Sequence, residues 1–191
     1  PEVTGLTHDS RQVGHGAVFV AVRGARADGH HYIPQAVSAG AAAVVCEELP
    51  DERLPCPAVA VADARLALSA MADRFYGSPS RQLRVTGITG TDGKTSTTEL
   101  LRVTLNEAGR SAGSIGTLGY VVGESRLHSD LTTPDPVALH ATFARMRDVG
   151  LTDACMEVSS HSLVQHRVAH VDFGVAVLTN ITRDHLDTHG T

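Results

Sequence analysis

The chain has 191 residues, 42% of them apolar, enough for one or two domains with real cores. Its net charge of −5 at pH 7, with no basic tract, speaks against a nucleic-acid surface. No apolar run reaches membrane-spanning length and no signal-peptide pattern is present; Cys46, Cys56 and Cys155 form no Cys-x-x-Cys pair and read as reduced thiols of a cytoplasmic protein.

In chain order, residues 16–22 predict a strand, 31–39 a short helix stopped by Gly40, and 42–46 and 57–62 two more strands. Asp63 is placed to N-cap a helix through Phe75, with Leu66, Leu68, Met71 and Phe75 on or near its apolar side. Gly77-Ser78-Pro79-Ser80 reads as a linker, so domains at 1–79 and 80–191 are expected. Beyond it, 83–89 predicts a strand rich in β-branched residues. Residues 95–108, with Leu100, Leu101, Val103 and Leu105, predict an amphipathic helix stopped by Gly109. A strand near 111–116 follows, then a hydrophilic turn around 123–126 and a helix over 136–149 ending at Gly150. A strand at 154–158, a short helical stretch and a strand at 173–178 complete the order. Such alternation predicts an α/β protein with a mostly parallel sheet and crossover helices. Ligands of such sheets gather at the carboxyl ends of strands, where Lys94, Glu157 and Asn180 could converge. The chain does not start with Met and stops at Thr191 just after a polar motif, so we read it as a piece of something longer.

Lys94 is the only lysine; the fifteen other strongly basic residues are arginine. It lies in Gly90-Thr91-Asp92-Gly93-Lys94-Thr95-Ser96, between a predicted strand and a predicted helix, which is the context of a phosphate-binding loop. A compact ammonium can extend along the β- and γ-phosphates of a nucleotide, and the loop amides and helix start can wrap the anion. The Thr95 hydroxyl is placed to ligate Mg²⁺. The generic loop has its first glycine six residues before the lysine, a position held here by Ile88. An ordinary glycine-rich turn is the competing reading.

Glu157 ends a predicted apolar strand and is followed by Val158-Ser159-Ser160-His161. A buried carboxylate needs a cation, which in a triphosphate site is Mg²⁺ and otherwise a salt-bridge partner. Asn180-Ile181-Thr182-Arg183-Asp184-His185-Leu186-Asp187 follows the next strand; His185 is a candidate contact to metal or phosphate, with a polar loop capped at Asp184 as the alternative. His166 and His170 are four apart, but neither His-Glu-x-x-His nor a cysteine pair completes a zinc site. The glycines at 113, 116 and 119 do not have dinucleotide-fingerprint spacing.

Taken in order, residues 90–96, Thr132-Thr133-Pro134, Glu157-Val-Ser-Ser-His161, Val164-Gln-His-Arg167 and Thr179-Asn-Ile-Thr-Arg-Asp-His-Leu-Asp187 resemble the Mur ligases. Asp9-Ser10-Arg11 and Ala27-Asp-Gly-His-His-Tyr-Ile-Pro-Gln-Ala36 extend the likeness upstream, and the displaced first glycine is what that family shows. The resemblance implies a small N-terminal UDP-binding α/β domain followed by a mostly parallel-sheet, phosphate-loop ATPase domain, here incomplete, with the C-terminal amino-acid domain outside the chain. It implies that His8, Ser10, Ala25, Arg26 and Ala27 line a uridine site. Thr132, Thr133, Ser159, Gln165 and Arg167 would hold a UDP-N-acetylmuramoyl-dipeptide, residues 90–96 ATP, and Thr95, Glu157 and His185 magnesium.

The implied activity is an ATP-dependent amide ligation in peptidoglycan synthesis that adds the third amino acid of the stem, a diamino acid: diaminopimelate, or lysine as the alternative. Lys94, Glu157 and His185 would be its catalytic residues. The family's carbamylated lysine, which holds a second magnesium, has no counterpart here because Lys94 is the only lysine, so this piece alone is expected to be inactive. Rival readings are a folylpolyglutamate- or cyanophycin-synthetase-like ligase, a non-catalytic nucleotide-binding module, and a structural domain without a ligand.

Overall fold

The computed structural model describes residues 2–24, 27–128 and 131–183. Its internal contacts divide the chain into two units, Pro1–Phe75 and Tyr76–Thr191. In the first, β1 (Gly5–Thr7), β2 (Ala17–Val20), β3 (Ala43–Cys46) and β4 (Ala58–Ala60) form a parallel sheet in chain order. Parallel neighbours need a crossover, and α1 (Ile33–Ser38), entered through a 3-10 turn at Gly29–Tyr32, supplies one between β2 and β3. Strands covered on both faces read as continuous apolar runs, and every residue of β2 is buried. Phe19, Ile33, Ala36, Val44 and Cys46 form the core of this unit.

Helix α2 (Ala64–Phe75) starts where the sequence predicts, with Asp63 Oδ1 accepting the Leu66 N–H at 2.8 Å. Its inward stripe differs from expectation. Ala64, Leu68 and Ala72, at i, i+4 and i+8, are buried together with Ser69 and Asp73, whereas Leu66 and Phe75 are exposed. Leu66 lies about 200° around the helix from Leu68, so the two cannot share a face.

The second unit runs β5 (Arg84–Thr89), α3 (Lys94–Glu107), β6 (Ala112–Gly116), β7 (Gly119–Val122), β8 (Ser125–Leu127), α4 (Pro136–Asp148), β9 (Asp153–Glu157), α5 (Ser160–Val164) and β10 (Phe173–Leu178). Its sheet has the order β10-β5-β9-β6-β7-β8. The first four strands are parallel, and β7 and β8 extend the sheet as an antiparallel hairpin, so the turn expected around 123–126 is a hairpin tip. Asp135 caps α4 by accepting the N–H groups of Val137 (2.9 Å) and Ala138 (3.1 Å), with Pro136 at the first position, where a missing N–H costs nothing. Leu139, Phe143 and Met146 of α4 pack with Val85, Ile115 and Met156 of the sheet.

Two expectations fail here for identifiable reasons. On α3, Leu100 is 69% and Val103 45% exposed. Leu101 and Leu105, beside buried Thr98, form the inward stripe, so only half of the expected apolar set lies on the inner face. The stretch read as a linker is packed: Pro79–Gln82 is a 3-10 turn and Ser80, buried, accepts the Asp172 N–H on its Oγ at 3.1 Å. Among the described residues no helix is long and apolar enough to cross a membrane.

Strand register sets the site. Ile88 pairs with Glu157, Thr89 with Leu178, and Ile115 with Met156. Four parallel strands therefore end at one rim, and the segments that follow them, at 90, 117, 158 and 179, emerge side by side. The opposite end of β9 carries Asp153, only 3% exposed. Arg110 reaches both of its carboxylate oxygens, Thr152 donates at 2.7 Å and Arg84 at 3.4 Å. Burial works to raise this carboxyl's pKa, but the Arg110 and Thr152 hydrogen bonds outweigh it and hold it below the ordinary 3.8. A depressed folded-state pKa contributes stability that is fully present above the unfolded value and lost as pH falls through the folded one. Asp153→Asn is expected to cost about 1–3 kcal/mol at pH 7. Urea titrations should show that deficit shrinking steadily below pH 3.8.

Candidate functional site

The loop after β5 turns at Gly90 (φ 136°) and Gly93 (φ 83°), both in the region that disfavours side chains, and leads directly into α3. A Cβ on Gly90 would also meet the Thr179 hydroxyl and lie 2.8 Å from the Asn180 carbonyl oxygen. The segment after β10 grips this loop. Asn180 accepts the Thr91 N–H on its carbonyl (3.1 Å) and the Asp92 N–H on Oδ1 (3.1 Å). Thr179 Oγ1 and Asn180 Nδ2 donate to the Asp92 carbonyl at 2.6 and 3.0 Å. Two amides expected to face an anion are thus taken by Asn180. The N–H groups of residues 93–96 open α3, where a helix offers them no intrahelical acceptor. Lys94 Nζ donates to the carbonyls of Gly90 (2.7 Å) and Thr91 (2.8 Å), which places the ammonium beside that turn.

Glu157, at the end of fully buried β9, is 1% exposed. Thr95 Oγ1 donates to its Oε2 at 2.9 Å, Thr117 N–H to Oε1 at 2.8 Å and Thr117 Oγ1 to Oε2 at 3.2 Å. The salt-bridge alternative is not what the described residues build, since these donors are neutral hydroxyls and an amide. Each hydrogen bond to a charged acceptor is worth about 1.5–3 kcal/mol, which offsets part of the cost of burying the carboxylate. Room for it comes from Gly116, whose Cβ would collide with the carboxylate Oε1 and lie 2.8 Å from its Cδ.

A second layer joins the same rim. Thr133 Oγ1 donates to the Glu157 carbonyl at 2.9 Å and accepts the Ser159 N–H at 3.0 Å. Ser159 caps α5 by accepting the Ser162 N–H at 3.2 Å. Arg167 Nη1 donates to the Thr133 carbonyl (2.8 Å), while its Nε and Nη2 both reach Gln165 Oε1 at 3.0 and 2.6 Å. Thr132 Oγ1 lies 3.1 Å from Thr117 Oγ1. Of the residues singled out in the sequence, Lys94, Thr95, Glu157, Thr132, Thr133, Ser159, Gln165 and Arg167 all belong to this rim. Gly116 and Thr117 escaped notice, because their role arises only from adjacency across strands.

In the first unit, Ser10 is buried and donates to Gln35 Oε1 at 3.0 Å, while His8 and Ala27 are exposed. Asp9 is held below the usual carboxylate range, chiefly by the Arg11 guanidinium at 2.7 Å. Ala25, Arg26 and His185 lie outside the described residues.

The Thr95–Glu157 pair suits magnesium. An octahedral ion with ligands at about 2.0–2.1 Å sets neighbouring oxygens about 2.9 Å apart. Thr95 Oγ1 and Glu157 Oε2, hydrogen-bonded to each other at 2.9 Å, could take neighbouring positions on one such ion without moving apart. Both groups are oxygen donors, the kind this ion takes, and among the described residues no group of three or more His, Cys, Asp or Glu side chains gathers.

Comparison with known proteins gives this rim a context. The model of the Mur ligase family, catalytic domain, matches residues 2–76, and that of the Mur ligase middle domain matches residues 88–191. A protein of Chlorobaculum tepidum named UDP-N-acetylmuramoyl-L-alanyl-D-glutamate--2,6-diaminopimelate ligase is 50% identical over 190 residues, covering 99% of this chain and 37% of its own. A solved structure of a ligase of that name superposes with a TM-score of 0.85 at 28% identity, over 99% of this chain and 38% of its own. A MurF ligase from Thermotoga maritima in complex with ADP gives 0.62 at 26% identity, over 97% and 39%. The chain thus spans less than two fifths of the length of the curated relatives it matches. Two domain models in tandem, met by a relative that is 50% identical along nearly all of these residues, place the chain in the Mur ligase family.

Proposed function

We propose that these residues are the UDP-binding domain, at 1–79, and part of the ATPase domain, from 80 onward, of a cytoplasmic ATP-dependent amide ligase. It joins 2,6-diaminopimelate to UDP-N-acetylmuramoyl-L-alanyl-D-glutamate. The observation that carries the reading is the Thr95–Glu157 contact at 2.9 Å, which sets a buried carboxylate against the hydroxyl next to the lysine of a glycine-rich strand-to-helix loop. Relatives bearing that ligase's name, and a family member solved with ADP, support the choice of substrates.

The γ-phosphoryl group of ATP passes to the D-glutamate carboxylate, forming an acyl phosphate and ADP. The amine of the diamino acid then attacks the acyl carbon, phosphate leaves, and an amide bond forms. This chemistry needs positioning and charge neutralisation more than covalent help. Lys94 exchanges the Gly90 and Thr91 carbonyls for phosphate oxygens, while the amides of residues 93–96 hold the phosphates from the helix end. Thr95 and Glu157, with His185 beyond the described residues, are the proposed magnesium ligands, and the bound ion supplies charge neutralisation at the transferring group. Thr132, Thr133, Ser159, Gln165 and Arg167 hold the muramoyl-dipeptide, with a substrate carboxylate exchanging for Gln165 on the Arg167 fork. His8, Ser10, Ala25, Arg26 and Ala27 hold the uridine end.

In the complete protein containing this chain, Lys94→Ala should lower tripeptide formation by about 100-fold or more while leaving binding of the UDP-dipeptide nearly unchanged. A wild-type protein that forms no UDP-tripeptide from ATP, Mg²⁺, UDP-dipeptide and diaminopimelate overturns the reading.

Gly116→Ala should leave the fold intact but push the Glu157 carboxylate out of place. An expected 10–100-fold loss of magnesium affinity, about the scale for disturbing a metal ligand's support, is checked by titrating Mg²⁺ into ADP binding by calorimetry.

A further inference from the structure

Thr117 makes more contacts with Glu157 than any role so far gives it. Its N–H donates to Oε1 at 2.8 Å and its Oγ1 to Oε2 at 3.2 Å, so one residue fixes both oxygens of the carboxylate. Its hydroxyl also lies 3.1 Å from Thr132 Oγ1. A carboxylate only accepts hydrogen bonds, and a threonine hydroxyl has a single proton. That proton therefore goes to Glu157, and Thr132 is the donor in the second contact. The hydroxyls form a directed chain, Thr132 to Thr117 to Glu157, from a proposed dipeptide-binding residue to a proposed metal ligand.

The chain has a structural reason to stay together. Thr117 follows β6 directly, and β6 lies beside β9, with Ile115 paired to Met156. Gly116, next to it, admits the carboxylate where a Cβ would stand. Thr133 anchors the other side of the same loop on the Glu157 carbonyl at 2.9 Å. Thr95 and Thr117 share Oε2. If Thr95 turns its hydroxyl oxygen to a cation, Thr117 remains as the side chain that orients the carboxylate.

We infer that Thr117 is a positioning residue that links Glu157 to the Thr132 loop, so that the nucleotide-metal half and the dipeptide half of the site adjust together. The inference rests on the proposed function, with Thr117 acting through Glu157 and Thr132.

The test uses the complete protein with Thr117→Val, which keeps the shape and the backbone N–H but removes the hydroxyl, and Thr117→Ser, which restores it. Magnesium-dependent ADP binding is read by calorimetry, and KM for the UDP-dipeptide and kcat by phosphate release. Thr117→Val is expected to raise the Mg²⁺ needed for half-maximal ADP binding about 10-fold or more, and Thr117→Ser to bring it back close to wild type. Thr132→Val, which reaches the chain from its other end, should shift the same Mg²⁺ requirement in the same direction by a smaller factor, although it touches neither metal nor nucleotide. In the Thr117→Val background it should add nothing. This variant also keeps the test alive should Thr117→Val fail to fold. Unaltered Mg²⁺ dependence in Thr117→Val, failure of Thr117→Ser to restore it, or additive effects of the two valine substitutions would overturn the inference while leaving the proposed function standing. A wild-type protein that binds no ADP in the presence of Mg²⁺ removes both.

Discussion

A buried carboxylate held by neutral donors organises the working end of the second unit. Removing a carboxylate from water costs several kcal/mol, and hydrogen bonds from hydroxyls and amides recover only part of that without cancelling the charge. Glu157 is placed in this condition by its strand. β9 is buried along its whole length and lies between β5 and β6, so its last residue meets the loop after one neighbour and the loop after the other. Thr95 arrives from the first and Thr117 from the second. The negative charge is satisfied in geometry but left available to a cation.

The other end of the same strand shows the alternative. Asp153 is equally buried, yet Arg110 and Arg84 close over it and its charge is neutralised within the fold. Glu99 stands between the two cases, shared by Ser114 at 2.6 Å and Arg102 at 2.9 Å; burial opposes its ionised form, but those hydrogen bonds hold its pKa below the ordinary value. An acid sealed by guanidinium serves the architecture. An acid ringed by hydroxyls at the carboxyl rim of a parallel sheet, where ligands of such sheets bind, is the one suited to chemistry. Cys155, between them on β9, is pushed up to about 12 by burial, so it packs as an inert thiol and offers no nucleophile.

Much of this was legible in the sequence, and what was not failed for physical reasons. The strand at 173–178 and the starts of α2 and α4 follow from apolar runs bounded by caps and glycines, which are local signals. The buried faces of α2 and α3 followed only in part, because small or polar residues such as Ala72 and Thr98 pack inward while Leu66, Phe75, Leu100 and Val103 are exposed. The hairpin β7–β8 was hidden by its short strands, whose alternation is too brief to register. Lys94, Thr95 and Glu157 were visible through residue type and position at strand ends. Gly116 and Thr117 were not, since nothing in their own surroundings in sequence marks them. Their importance exists only once β6 lies beside β9.

The same reasoning explains why the Gly90–Gly93 loop and the Thr179-Asn180 segment, some ninety residues apart in sequence, belong to one structural unit. β10 pairs with β5 through Thr89 and Leu178, so the two chains leave the sheet together. Asn180 then supplies a carbonyl and an amide to the loop, as a hydrogen-bonded neighbour would in a continued strand. It takes two loop amides, while those at the start of α3 lie where the positive end of the helix dipole adds to them. The β10 rim thus gives the loop its shape, and the orientation of Lys94 and Thr95 follows from that shape.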